Sequence, residues 1–153
     1  MARWLSLSLL IPLSILTISD IRSRTVSSWW LLIFGILNLL ILGILDDWES
    51  VLSRIVGNLL FLLVIGAALW IYAKARRKLL PELLGLGDVI FLISLSPAFE
   101  WAEYLRLIVA SSLIGILVWP FIREKQPNKI GIPMVSVMAF VYVVALGNKL
   151  FIA

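Results

Sequence analysis

Two aspartates, Asp20 and Asp88, are the groups in this chain best placed to do chemistry. The chain has no histidine and no cysteine. That excludes Ser–His dyads, HExxH zinc sites, imidazole proton relays, thiolate nucleophiles, thiolate metal sites and disulfides. Carboxylates remain as the obvious acid–base groups. Of the nine acidic residues, Asp46, Asp47, Glu49, Glu100 and Glu103 lie in breaks between apolar runs, where they read as solvated helix caps. Glu82 and Glu124 lie among basic residues and read as local charge partners. Asp20 and Asp88 are different, since each sits at the end of a long apolar run. A charge at membrane depth costs at least a few kcal/mol and usually marks function. Each also has a plainer reading. Asp20 would be an interfacial residue solvated beside Arg22 and Arg24. Asp88 would be an N-cap or first-turn acid, favoured by the positive end of a helix dipole.

If the fold brings them together, two adjacent carboxylates do not both ionise easily, and one keeps a proton. The ionised member can take a proton from water while the protonated member polarises a carbonyl, which suffices for peptide hydrolysis without metal, His or Cys. Asp88 is preceded by two glycines in "LGLGDVIFL", residues 84–92. Gly85 and Gly87 would let an extended substrate backbone approach beside Asp88, and glycine admits φ > 0. They serve equally as a helix-entry turn after Pro81.

The elements that must position this pair are membrane helices. With 62% hydrophobic residues, 14% charged residues and a mean hydropathy of +1.09, a 153-residue soluble domain could not cover its apolar surface. Of six apolar stretches, 4–19, 28–45, 51–73, 83–99, 105–122 and 130–146, most approach the ~20 residues of a helical span, the first and fourth being short. The fourth needs Leu79 and Leu80, or the glycine stretch, to reach across. The breaks alternate in sign, with basic clusters at Arg22 and Arg24, Lys74 to Lys78, and Arg123 to Lys129. The positive-inside rule places these in the cytoplasm and both termini outside, with Asp20 and Asp88 at the cytoplasmic face. The +4 net charge is therefore read as topology, with no nucleic-acid partner implied. All seven tryptophans fall near span ends, as interfacial anchors do. Residues 1–19 lack an A-x-A cleavage pattern, and Arg22 and Arg24 oppose translocation, against a signal peptide. No repeat or linker is present. The expected architecture is an all-α membrane protein, a six-transmembrane-helix bundle forming one polytopic domain over residues 1–153.

The motifs resemble those of the type IV prepilin peptidases, membrane aspartyl proteases of the GxGD type. Gly85-Leu86-Gly87-Asp88 is similar to the GxGD motif, "DIRSRTVSSWW" from Asp20 to the first motif, and "KIGIPMVSVMAF", 129–140, to the Pro-containing start of the last helix. The chain departs from the family pattern at Val26-Ser27-Ser28, where Ile-Pro-Asn is usual. It departs again at Ile90, where lysine is common, and at Ser136, where a second proline is common. The short first cytoplasmic loop, without cysteine, resembles the minimal peptidase-only or preflagellin-peptidase-like form.

The resemblance implies an aspartic endopeptidase of the cytoplasmic membrane, with Asp20 and Asp88 catalytic. It would remove the short basic leader from prepilin-like or preflagellin-like precursors, whose mature subunits enter pilus, secretion or motility assemblies. No metal, cofactor or methyltransferase activity is implied. Lys74, Arg76, Arg77 and Lys78 read as topology determinants and anionic-lipid contacts, and Glu82 as a contact for the basic leader. Two other readings remain open: an inactive membrane scaffold that keeps the fold, and a small ion-coupled transporter using the same carboxylates.

Overall fold

The computed structural model describes residues 2–23, 26–77, 85–125 and 134–151. Among these the chain is all-helical, with six α-helices: α1 (Leu10–Ser23), α2 (Ser28–Leu45), α3 (Trp48–Ala75), α4 (Leu86–Leu95), α5 (Trp101–Lys125) and α6 (Met134–Phe151). A 3₁₀ stretch, Ala2–Leu9, leads into α1, and a shorter one, Ser96–Ala98, closes α4. Within apolar surroundings the backbone must satisfy its own hydrogen bonds, so apolar runs of this length become helices. Four segments are long and apolar enough to cross a membrane: 5–23, 28–45, 48–75 and 101–121. Their outer faces expose large apolar side chains such as Ile11, Leu63, Leu117 and Phe121, as a bilayer requires and water penalises. The protein is a multi-pass membrane protein.

The helix bounds differ from the sequence expectation in two places. Helix α1 runs past Ser19 to Ser23, so Asp20 lies inside its last turn. The fourth helix begins at Leu86 and, with its 3₁₀ turn, ends at Ala98. At 1.5 Å per residue it is roughly 20 Å long, against a hydrocarbon core of ~30 Å. Among the described residues the last helix runs from Met134, and 130–133 of the expected sixth stretch lie outside them. Leu79, Leu80, Pro81 and Glu82 lie outside the described residues, as do Arg24, Lys78 and Lys129.

Helix α4 is packed between α2 and α6, α1 lies against α2 and α6, and α5 packs on α6 and α3. The shared core comprises Leu13 and Leu16 of α1, Leu31 and Phe34 of α2, Phe91 and Leu95 of α4, and Val135 and Met138 of α6. At its centre Phe34 stacks on Phe91, with centroids 5.4 Å apart, and meets the edge of Tyr142 at 5.9 Å. Tyr142 also meets Phe99 edge-on at 5.7 Å. Such aromatic pairs add about 0.5–1.5 kcal/mol each beyond burial.

The short α4 is possible because its C-terminal carbonyls, lacking intrahelical partners, are met by side chains from the surrounding helices. Tyr104 Oη of α5 donates to the Leu92 carbonyl at 2.7 Å, and Asn38 Nδ2 of α2 donates to Ser94 O at 2.8 Å. Asn58 Nδ2 of α3 donates to both Ser96 O and Phe99 O, each at 2.8 Å. Tyr142 Oη of α6 completes the set by donating to Asn38 Oδ1 at 3.2 Å. Pro97, with no N–H, ends the helix at this point.

Helices α2 and α3 form a hairpin through Asp46 and Asp47. Arg54 Nη1 pairs with Asp46 Oδ2 at 2.6 Å across it, and the Trp48 indole occupies the space a side chain on Gly43 would need. Trp29, Trp48 and Trp101 stand at helix starts and Trp70 near a helix end, all exposed, as interfacial anchors should be.

Candidate active site

The last turn of α1 carries Asp20 inward. It is 5% exposed, buried beside Leu16 and Leu13 on the face of α1 that meets α2 and α6. The partners of its carboxylate come from the start of α6. Ser136 donates its backbone N–H to Asp20 Oδ2 at 2.9 Å and its hydroxyl to the same oxygen at 2.8 Å. The first N–H groups of a helix have no acceptor within it, so Asp20 serves α6 as a cap supplied from another helix. The partial positive charge of that helix end also favours a carboxylate there. The reading of Asp20 as a solvated interfacial residue is thereby corrected: it is buried and hydrogen-bonded.

Asp88 enters from the first turn of α4, as the third helical residue, where its N–H and that of Val89 both donate to Gly85 O, at 3.1 and 3.2 Å. It is therefore a first-turn acid, as the plainer reading of this residue had it. It is also close enough to Asp20 for the two charges to act on one another. The fold thus places at one end of the bundle two carboxylates, from α1 and α4, that are remote in sequence.

Both glycines have a local reason to lack a side chain. Gly85 caps α4 at φ −67° and ψ 139°, extended backbone open to any residue, so its access to positive φ is not used. What matters is space. A Cβ on Gly85 would lie 2.9 Å from Asp88 Oδ2, and one on Gly87 would lie 3.3 Å from Val26 Cβ. Gly87 belongs to the first helical turn of α4 and not to a loop. Its small size lets the start of α4 close against Val26, in the short connection between α1 and α2.

From this end an apolar cleft of about 440 Å³ runs between α2, α3 and α4. Ser28, Leu31, Gly35, Ile90, Ser94 and Pro97 are among the residues lining it. At the end of α3, Lys74 Nζ lies 5.2 Å from the Trp70 ring centroid, and the Arg76 guanidinium 5.9 Å from that of Tyr72. Among the described residues no three carboxylates group together as a metal site would need.

A family model of type IV leader peptidases matches residues 7–119, well over half of the chain and a span that includes both aspartates. The chain belongs to the type IV leader peptidase family. This is a family of proteases, and the match agrees with the resemblance read from the motifs around Asp20 and Asp88. Neither the curated proteins nor the solved structures searched contain a match. The leader peptidase match stops before α6, so the contact between Ser136 and Asp20 lies partly beyond it.

Sequence reasoning singled out Ser136 only as a departure from a motif and missed its contact with Asp20. It also passed over Asn38, Asn58, Tyr104 and Tyr142, which hold α4. The two asparagines carried a usable signal, because an amide inside an apolar span must find a partner. Nothing in the local sequence tells which helix supplies it.

Proposed function

We propose that this leader peptidase is an aspartyl endopeptidase in which Asp20 and Asp88 activate water. It would remove the basic leader from prepilin-like or preflagellin-like precursors. The observation that carries this is the placement of the two carboxylates, from α1 and α4, at one end of the bundle and within range of each other's charge. Water attacks the scissile carbonyl carbon as the ionised aspartate takes its proton, and the protonated aspartate donates to the carbonyl oxygen. In the tetrahedral intermediate that follows, a proton passes to the amide nitrogen and the C–N bond breaks. A new carboxyl group and a new amine result, and the aspartates return to sharing one proton. Of the two glycines, Gly85 borders the Asp88 carboxylate and would leave room there for the substrate backbone, whereas Gly87 faces Val26. The apolar cleft beginning at Ser28 and Ile90 supports an arrangement in which the precursor's apolar helix lies along the bundle.

In the proposed topology all six helices belong to one polytopic domain of the cytoplasmic membrane, with both termini outside and the pair at the cytoplasmic face. The alternation of basic and acidic breaks supports it. The direct test is cleavage of a precursor by purified protein in lipid, comparing wild type with Asp20→Asn and Asp88→Asn, each shown to be folded. Loss of cutting in both variants is expected. A second reading, a scaffold without activity, draws on the structural use of Asp20 as a cap for α6. Folded wild type that cuts none of a range of precursors would favour it. A transporter would instead move ions in the same liposomes, with a flux that either substitution stops.

A further inference from the structure

We propose that Ser136 is a positioning residue that orients the Asp20 carboxylate for hydrolysis; the proposal rests on the reading of Asp20 and Asp88 as the reacting pair. Ser136 delivers two donors, N–H at 2.9 Å and Oγ–H at 2.8 Å, to the same oxygen, Oδ2. Its hydroxyl also lies 3.3 Å from Thr17 O, one turn before Asp20, so it is seated in the groove of α1 and not merely near its end. Ser136 is 8% exposed and Asp20 5%. Water has little access to replace either donor, and a buried acceptor deprived of its donor loses the bond outright.

An aspartate has two rotatable side-chain bonds, and one hydrogen bond leaves its carboxyl plane free to swing. Two donors on one oxygen, from a backbone amide and the side chain of the same residue, restrict both bonds. Both donors are on Oδ2, so Ser136 makes no demand on Oδ1, the oxygen that remains to meet Asp88 or water. Placement of this kind acts on the barrier and not on substrate binding, because it removes a search for geometry after the substrate has bound. Ser136 stands where a second proline is common in the motif it resembles, and a proline there would carry neither donor.

The experiment compares Ser136→Ala, Ser136→Val and Ser136→Thr with wild type and Asp20→Asn, as full-length protein in lipid nanodiscs. The substrate is a precursor carrying a basic leader before an apolar helix. Alanine and valine keep the backbone donor and lose the hydroxyl. We expect kcat to fall by roughly ten- to a hundredfold in both, the range set by one hydrogen bond to a charged group, with KM within about twofold. Threonine, the same shape as valine but with the hydroxyl, should recover most of kcat. Wild-type kcat in the alanine and valine variants, while Asp20→Asn is inactive, would overturn the positioning role alone. So would a loss that threonine does not restore. Failure of the alanine and valine variants to fold, with threonine folding, would make the contact structural and overturn it too. Cleavage by Asp20→Asn at the wild-type rate would remove the underlying reading instead.

Discussion

Asp20 and Asp88 are fixed by different physical means, and substitutions around them should separate accordingly. Asp20 is tied to another helix by two short hydrogen bonds, whereas Asp88 is held near its own helix start, with its carboxylate over Gly85. A methyl group on Gly85 meets only the end of the Asp88 side chain. That group can turn aside without moving the backbone. Gly85→Ala should therefore cost about 1 kcal/mol of stability, because alanine is a poorer helix N-cap than glycine. Displacing a reacting group by an ångström costs on the order of a hundredfold in rate, so kcat should fall by a similar factor. Thermal unfolding and cleavage kinetics on the same preparation check this; wild-type kcat would show that Asp88 does not react from the position seen here. Gly87→Ala presses instead on Val26, and should trouble packing more than it redirects Asp88.

At the scale of elements, the feature that needs explaining is a helix that ends within the bundle. Carbonyls left without donors at that depth are costly, and Asn38, Asn58 and Tyr104 offset part of that cost. Asn58→Ala takes away both bonds to the turn after α4 and should destabilise the protein by about 1–3 kcal/mol. Tyr104→Phe deletes one bond, to Leu92 O, and should cost about 0.6 kcal/mol, the average for an interhelical bond in a membrane protein. Unfolding in mixed micelles measures both. If Asn58→Ala were as stable as wild type, the turn at Ser96–Ala98 would need another source of donors. Because α4 carries Asp88 at its other end, a loosened turn should also lower cleavage at temperatures where the variant remains folded.

For the whole molecule, the absence of native cysteine makes every introduced thiol an unambiguous reporter of sidedness. Ser50 and Arg77 are exposed at opposite ends of α3, a helix of 28 residues, roughly 42 Å long. In intact cells Ser50→Cys should react with a membrane-impermeant thiol reagent, and Arg77→Cys only after permeabilisation. The reverse pattern would invert the proposed topology and put the aspartate pair on the outer side. The aromatic centre is tested the same way at this scale. Phe34→Ala removes the ring that bridges Phe91 and Tyr142 and should cost about 3–5 kcal/mol, read as a loss of thermal stability.

Much of this was legible from composition and spacing. Apolar runs separated by charged breaks specify membrane helices because a bilayer leaves the backbone no other way to satisfy its hydrogen bonds. The absence of His and Cys leaves carboxylates as the obvious acid–base groups, and the position of Asp20 and Asp88 at the ends of apolar runs singles them out. Those properties are local, so sequence alone determined them. Which buried groups meet is not local. That Asp20 would bond to Ser136, 116 positions later, follows from α1 and α6 lying side by side. That α4 would be short depends on amides and hydroxyls from three other helices reaching its last carbonyls. That Gly85 and Gly87 are needed for space and not for φ is set by where the Asp88 carboxylate and Val26 come to rest. Packing decides such contacts, because each depends on the relative placement of helices that no stretch of one of them encodes.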